Sequence, residues 1–179
     1  MAKLVESTFI SLDGIISDPQ DWGSPYWDEE HDRYASKLLF AADALLLGRV
    51  TYEGFAQAWP SRSGDDYSER INSMPKYVAS RTLKDATWNA TVLDGDVAEE
   101  VARLKSENRA GGLLKFGTGE LDRTLLREGL LDELHLWYFP VLAGGGQTLI
   151  EGIDTTHLEL VDTTRFKSGI VVNTYAPKS

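Results

Sequence analysis

The sequence predicts a three-layer α/β/α protein with a mostly parallel central sheet of about eight strands and an antiparallel C-terminal edge hairpin. Three observations carry this. Helix-like segments alternate with strand-like ones as far as Phe139, apart from the successive strands Lys76–Ser80 and Ala90–Leu93, which implies parallel crossovers with helices on both faces of the sheet. Continuous apolar runs such as Ala44–Leu47 suit strands buried on both faces. The last two β-rich segments follow one another with no helix between them, so they add antiparallel strands at an edge.

In chain order, Lys3–Ile10 is β-rich and stops at the turn signal Asp13-Gly14. Residues Ser17–Pro25 collect Asp, Pro, Gly and Ser and read as a loop. Asp28–Ala42 sets His31, Tyr34, Ala35, Leu38, Leu39 and Ala42 at helical spacing. Ala44–Leu47 is a strand closed by Gly48, and Val50–Ala58 a helix weakened by Gly54. Pro60–Asp66 is a loop, Tyr67–Asn72 a short helix, and Lys76–Ser80 and Ala90–Leu93 are strands. Asp96 with Glu99 forms a capping box for a helix that turns Val97, Val101 and Leu104 inward. Leu113–Phe116 is a strand, Gly119–Glu128 a helix, and Gly129 its C-cap. Glu133–Phe139 is a strand stopped by Pro140, and His157–Phe166 with Gly169–Ala176 makes the hairpin.

The 179 residues predict one domain over 1–179, and a 42% hydrophobic share supports a core. The absence of cysteine excludes disulfides and thiolate metal sites. The N-terminus lacks a signal-peptide core and no apolar run would span a bilayer, so the expectation is a soluble, cytoplasmic protein. Eighteen Lys and Arg against 28 Asp and Glu give a net charge of −10, which argues against nucleic-acid or membrane partners. An anionic ligand would need a local basic island.

Three strand-to-helix junctions could supply one. At Gly48-Arg49-Val50-Thr51-Tyr52 a glycine turn opens a helix whose free N–H groups, with Arg49, favour an anion. Taken alone, it is equally a plain junction with a solvated arginine. Ser80-Arg81-Thr82 offers two hydroxyls and a guanidinium to a phosphate, or is a surface turn. Phe116-Gly117-Thr118-Gly119-Glu120-Leu121 lets a pyrophosphate approach backbone and helix N-terminus, although a lone Gly-x-Gly is a weak signal. These three bends are expected to converge on one phosphate-bearing ligand.

Two acids are candidate catalytic groups. Asp13 lies in the first loop, and Asp32 flanks the inward stripe of the first helix, where it could orient or protonate a heterocycle. The alternative for Asp32 is a solvated aspartate among Asp28, Glu29 and Glu30. Aromatics before this helix (Trp22, Tyr26, Trp27) and after the next (Phe55, Trp59) could form a slot for a flat ring, or are core packing. Ser11, Tyr52 and Trp59 are the candidate substrate contacts. No metal site is expected, because His31, His135 and His157 have no ligand spacing. His135 alternates with Glu133 and Trp137 and is read as a surface or interface residue.

Several motifs in their order resemble the dihydrofolate reductase-like superfamily. Within it they are most similar to the reductase domain of the bifunctional riboflavin-biosynthesis deaminase–reductase and its stand-alone relatives. They are Ser11-Leu12-Asp13-Gly14, Leu47-Gly48-Arg49-Val50-Thr51-Tyr52, Ala79-Ser80-Arg81-Thr82-Leu83, Phe116-Gly117-Thr118-Gly119, Gly129 through Leu134, Pro140-Val141-Leu142 and Gly144-Gly145-Gly146. Where the riboflavin reductases usually carry Glu before the paired glycines, this chain has Phe116. The resemblance implies NADPH as cofactor. Arg49, Thr51, Ser80 and Arg81, beside Gly48 and Thr82, would hold the 2′-phosphate and its neighbour, and Gly117, Thr118, Gly119 and Leu121 the pyrophosphate. The nicotinamide would lie near Phe9–Ser11. It also implies a homodimer, for which the aromatic strand Leu134–Phe139 and the hairpin are candidate faces. The expected function is NADPH-dependent reduction of a small, flat nitrogen heterocycle of pterin or aminopyrimidine type. The alternative is an NADP(H)-binding module or sensor without efficient turnover.

Overall fold

Alternation of strand and helix persists in the computed structural model, which describes residues 1–107 and 109–178. The strands are β1 (Leu4–Ile10), β2 (Ala42–Gly48), β3 (Lys76–Ala79), β4 (Ala90–Val92), β5 (Gly112–Phe116), β6 (Glu133–Tyr138), β7 (Leu158–Arg165) and β8 (Val171–Pro177). The helices are α1 (Pro19–Gly23), α2 (Glu29–Ala41), α3 (Arg49–Ala58), α4 (Asp66–Ser73), α5 (Val97–Ser106) and α6 (Glu120–Arg127). The fold is α/β, with an eight-stranded, mostly parallel sheet in the order β4-β3-β2-β5-β1-β6-β8-β7. Its C-terminal strands run antiparallel, as the uninterrupted β-rich ending predicts. No helix is long and apolar enough to cross a membrane among the described residues.

The chain forms two compact units, Met1–Leu4 with Ser36–Phe116, and Val5–Ala35 with Gly117–Ser179. In the first, β2 pairs in parallel with β3 and β5, and β3 with β4. Ala44–Leu47 is fully buried, as a strand covered on both faces requires. Asp96 caps α5 by accepting from the Glu99 N–H at 3.0 Å, and Val101 and Leu104 are buried beneath it. At the start of β3, Lys76 is 1% exposed. Its Nζ donates to the Asn72 carbonyl at 3.0 Å and lies 4.0 Å from the Trp88 ring centroid. Burial alone pushes this ammonium down to about 8.

In the second unit, β1 pairs in parallel with β6, and β6 antiparallel with β8. Asp28 caps α2 by accepting from the Glu30 and His31 N–H groups, both at 3.0 Å. The helix buries His31 on the expected stripe. Gly129 ends α6 with φ +63, and Leu130 N–H reaches back to the Leu125 carbonyl at 2.8 Å.

Three local readings change. Ser17–Pro25 is not a plain loop: it holds α1 and a 3-10 turn at Ser24–Tyr26. Pro19 and Pro25, each at a helix start, preset the backbone angle there, and Trp22 anchors the turn on Phe139 at 5.4 Å. His135 is buried, not at a surface, because β6 is covered on both faces and alternation along it does not produce an exposed side. For the same reason Leu134–Phe139 does not offer a dimer face: β6 is flanked by β1 and β8.

Candidate active site

In the first unit, β2 enters α3 through Gly48, whose extended N-cap geometry brings no side chain to the helix end. A Cβ there would meet nothing within 4 Å, so the space beside this residue is open. That turn carries no acidic residue. Gly48 and Ala79 are register partners on neighbouring parallel strands, so Arg49 and Ser80 leave the sheet side by side, about 4.8 Å apart in backbone. The Arg49 side chain is half exposed, with Glu53 Oε1 at 3.7 Å one turn along the helix. Ser80 Oγ accepts from the Thr82 and Leu83 N–H groups at 3.3 and 3.0 Å, which closes a tight turn and leaves Arg81 and Thr82 exposed. Gly48, Arg49, Thr51, Ser80, Arg81 and Thr82 thus occupy two adjacent strand tips. A positive helix end beside two guanidiniums can attract an anion.

The two substrate candidates of this unit lie elsewhere. Tyr52 is buried, and its hydroxyl accepts from Thr87 N–H at 2.8 Å and donates to Thr87 O at 3.3 Å. It ties the loop before β4 to α3. Trp59 follows the last residue of α3, about 15 Å along the helix from Arg49. There it packs on Tyr67 at 5.4 Å and under the Arg62 guanidinium at 4.6 Å. Phe116 packs on Phe55 at 5.4 Å with the rings tilted, which makes it part of this packing.

The third expected bend belongs to the second unit. Gly117 takes φ +71, a conformation that favours glycine. The Gly119 N–H donates to Asp122 Oδ2 at 2.6 Å, and the Thr118 hydroxyl donates to the Leu149 carbonyl. Leu121 sits half-buried in a first turn that also holds Glu120 and Asp122. Two carboxylates at this helix end oppose a second anion, so the turn is less suited to a pyrophosphate than its glycines indicate.

Ser11 and Asp13 are engaged with each other. Ser11 Oγ donates to Asp13 Oδ1 at 2.5 Å and accepts from Ile15 N–H at 2.9 Å. Asp13 also accepts from the Ala143 and Gly144 N–H groups at 2.9 and 2.8 Å. The Ser11 hydroxyl and these backbone donors hold its carboxyl down to about 2. A carboxylate so held is no proton donor near neutrality. Its work is to strap the Gly144–Gly146 loop to the turn after β1. Ser17 Oγ extends the strap by accepting from Gln147 N–H at 3.0 Å.

The Asp32 side chain is 78% exposed, and its Oδ1 lies 3.1 Å from His31 Nδ1. The predicted acid is therefore at the outside of α2, and the group facing inward is its neighbour. His31 is 8% exposed among the rings of Phe9, Trp27 and Trp137, with centroids at 5.5, 5.6 and 5.2 Å. Sequence reasoning placed His31 on the inward stripe but gave it no role; a polar residue at an apolar position of an amphipathic helix is the signal that could have found it. A second polar group missed is Tyr34, whose OH is 2.8 Å from His135 Nδ1, while His135 Nε2 lies 3.2 Å from Glu133 Oε2. Burial raises the Tyr34 hydroxyl above its ordinary range. Among the described residues, no group of three or more His, Asp or Glu could hold a metal.

The family model of the RibD C-terminal domain matches residues 2–172. The chain belongs to the RibD C-terminal domain family. As such a domain it is 28% identical over 179 residues to the uncharacterized protein YyaP of Bacillus subtilis (strain 168), covering 97% of this chain and 94% of YyaP. A riboflavin biosynthesis protein from Shewanella sp. PV-4 shares its fold, with a TM-score of 0.80 at 22% identity over the full length of both chains. So does a Thermotoga maritima protein named as a diaminohydroxyphosphoribosylaminopyrimidine deaminase/5-amino-6-(5-phosphoribosylamino)uracil reductase, with a TM-score of 0.67 at 14% identity. That match covers 99% of this chain but 57% of the Thermotoga protein.

Proposed function

We propose that this protein is an NADPH-dependent reductase of a small, flat nitrogen heterocycle of pterin or aminopyrimidine type. The observation that carries the reading is the pair of adjacent strand tips, Gly48-Arg49 and Ser80-Arg81-Thr82, in a chain of net charge −10. An uncapped helix turn without acids, two arginines and three hydroxyls fit a sugar phosphate ester. Arg49 and Arg81, with Thr51, Ser80 and Thr82, would hold the 2′-phosphate and its neighbour. We assign phosphate binding to these tips in preference to Gly117–Leu121, whose first turn already carries Glu120 and Asp122. The nicotinamide, when bound, supplies the hydride. The protein's own part is to orient its ligands and to exclude water. Asp13 serves by holding the Gly144–Gly146 loop, and Asp32 by orienting His31. The name of the Thermotoga neighbour, an aminouracil reductase, supports the ring class.

Titration with NADPH, followed by nicotinamide fluorescence, tests the reading. Saturable binding is expected, and none at low millimolar concentration overturns it. The exposure of Asp32 favours one second reading, an NADP(H)-binding module without turnover. That reading predicts NADPH binding with no oxidation across pterins, pyrimidines and quinones. We also propose that the protein is a homodimer, formed at the exposed outer strand β7, where Leu160 and Val161 are 54% and 59% exposed. A monomer by light scattering contradicts it.

A further inference from the structure

His31 is the one inward polar group of α2 whose ring nitrogen is buried without a partner: among the described residues, nothing bonds its Nε2. Buried acceptors are seldom left unmatched, and each that is calls for a partner from outside the chain or a role in the chemistry. The other nitrogen is fixed. Nδ1 lies 3.1 Å from the Asp32 carboxylate, which only accepts; a proton on Nδ1 satisfies that contact and leaves the Nε2 lone pair as an acceptor. The surroundings are flat and aromatic. Phe9 and Trp137 form two walls at tilts of 57° and 58°, and Trp137 has its own N–H satisfied by Ser7 Oγ at 3.0 Å. Trp27 packs on the third side, stacked on the imidazole at 26°, and is itself 44% exposed.

We propose that His31 is a substrate-recognition residue: its Nε2 accepts a hydrogen bond from a ring N–H or exocyclic amine of a flat nitrogen heterocycle that stacks along Trp27. The inference deepens the reductase reading and rests on it for the reaction, though not for the binding. Donor geometry sets the specificity. Pterins and aminopyrimidines carry N–H donors at the edge of an aromatic plane, whereas a quinone of similar shape carries only acceptors and would leave Nε2 unmatched. Asp32 is then a positioning residue, acting through the tautomer it imposes on His31.

The test is tryptophan-fluorescence titration with pterin and with 2,4-diaminopyrimidine, alongside NADPH, on the wild-type protein and His31→Phe. Phenylalanine keeps a ring in the box and removes both nitrogens. Both probes are expected to bind the wild type and to lose about tenfold or more in affinity in the variant, the loss of one hydrogen bond in a dry site, with NADPH affinity unchanged. His31→Gln, which returns a polar group, should recover part of that loss. Equal affinity of wild type and variant, or no binding of either probe to the wild type at low millimolar concentration, overturns the proposal. Probe binding that depends on His31 without any NADPH binding upholds it and removes the cofactor reading instead. Should His31→Phe fail to fold, nitrogen-15 spectra of the wild type decide, since the chain has only three histidines. Pterin must shift the His31 Nε2 signal, and an unmoved signal overturns the proposal.

Discussion

Lys76 is a buried ammonium with one backbone acceptor and one indole face for company, and its removal makes a quantitative prediction. An unfolded chain holds the Lys76 proton up to about 10.5, whereas the folded chain releases it near 8. Between these values the unfolded state binds more protons, so stability rises with pH across that window, and below it the charged lysine opposes folding. The interval of about 2.5 pH units corresponds to about 3 kcal/mol as an upper figure, because the Trp88 face and the Asn72 carbonyl favour the charged form. Lys76→Met keeps the stem's volume and removes the charge. Urea unfolding of both proteins from pH 7 to 10 is the assay. The wild type should gain on the variant by about 1 kcal/mol per pH unit above 8. Two parallel profiles would refute the reasoning and show that the ammonium is hydrated in the folded state.

Other expectations follow from the same contacts. Asp13→Ala should expose the Ala143–Gly146 loop, read as faster amide exchange at Ala143 and Gly144; unchanged exchange would remove its strap role. In the wild type that strap should persist on acidification below the ordinary carboxylate value of 3.8 and weaken only as pH falls through about 2, because the folded carboxyl is the stronger acid. Gly129→Ala should lower stability by about 1 kcal/mol, from strain alone, since φ is +63 and a Cβ would meet no atom within 4 Å; an unchanged melting temperature would contradict it. Asp32→Asn should weaken pterin binding less than His31→Phe does, because it only loosens the tautomer; an equal or larger loss would give Asp32 a direct contact.

The fold was legible because burial follows period. Ala44–Leu47 reads as a two-sided strand, and the stripe through His31 and Leu39 reads as one face of a helix, and both are buried so. Asp96, Gly129 and Pro140 marked their boundaries through local chemistry. The α1 turn escaped because five residues are too few for a period, and only tertiary contact with Phe139 holds it. The turns at the two strand tips were legible because glycine or serine after an apolar run ends a strand. The acids were not. A helix advances 100° per residue, so Asp32 at the edge of the stripe turns to solvent while His31 turns in. Asp13 could not be told from a catalytic acid, because its partners Ala143 and Gly144 are 130 and 131 residues away and bind through backbone N–H groups that almost any sequence would have.

The central claim is that Arg49 and the Ser80-Arg81-Thr82 turn form one seat for a phosphorylated dinucleotide. The most direct measurement compares NADPH and NADH binding to the wild type and to Arg81→Ala. Loss of one charge-assisted phosphate contact predicts that NADPH weakens by about 1.5–3 kcal/mol while NADH, which lacks the 2′-phosphate, hardly changes. Equal losses for the two cofactors, or none for either, would contradict the account.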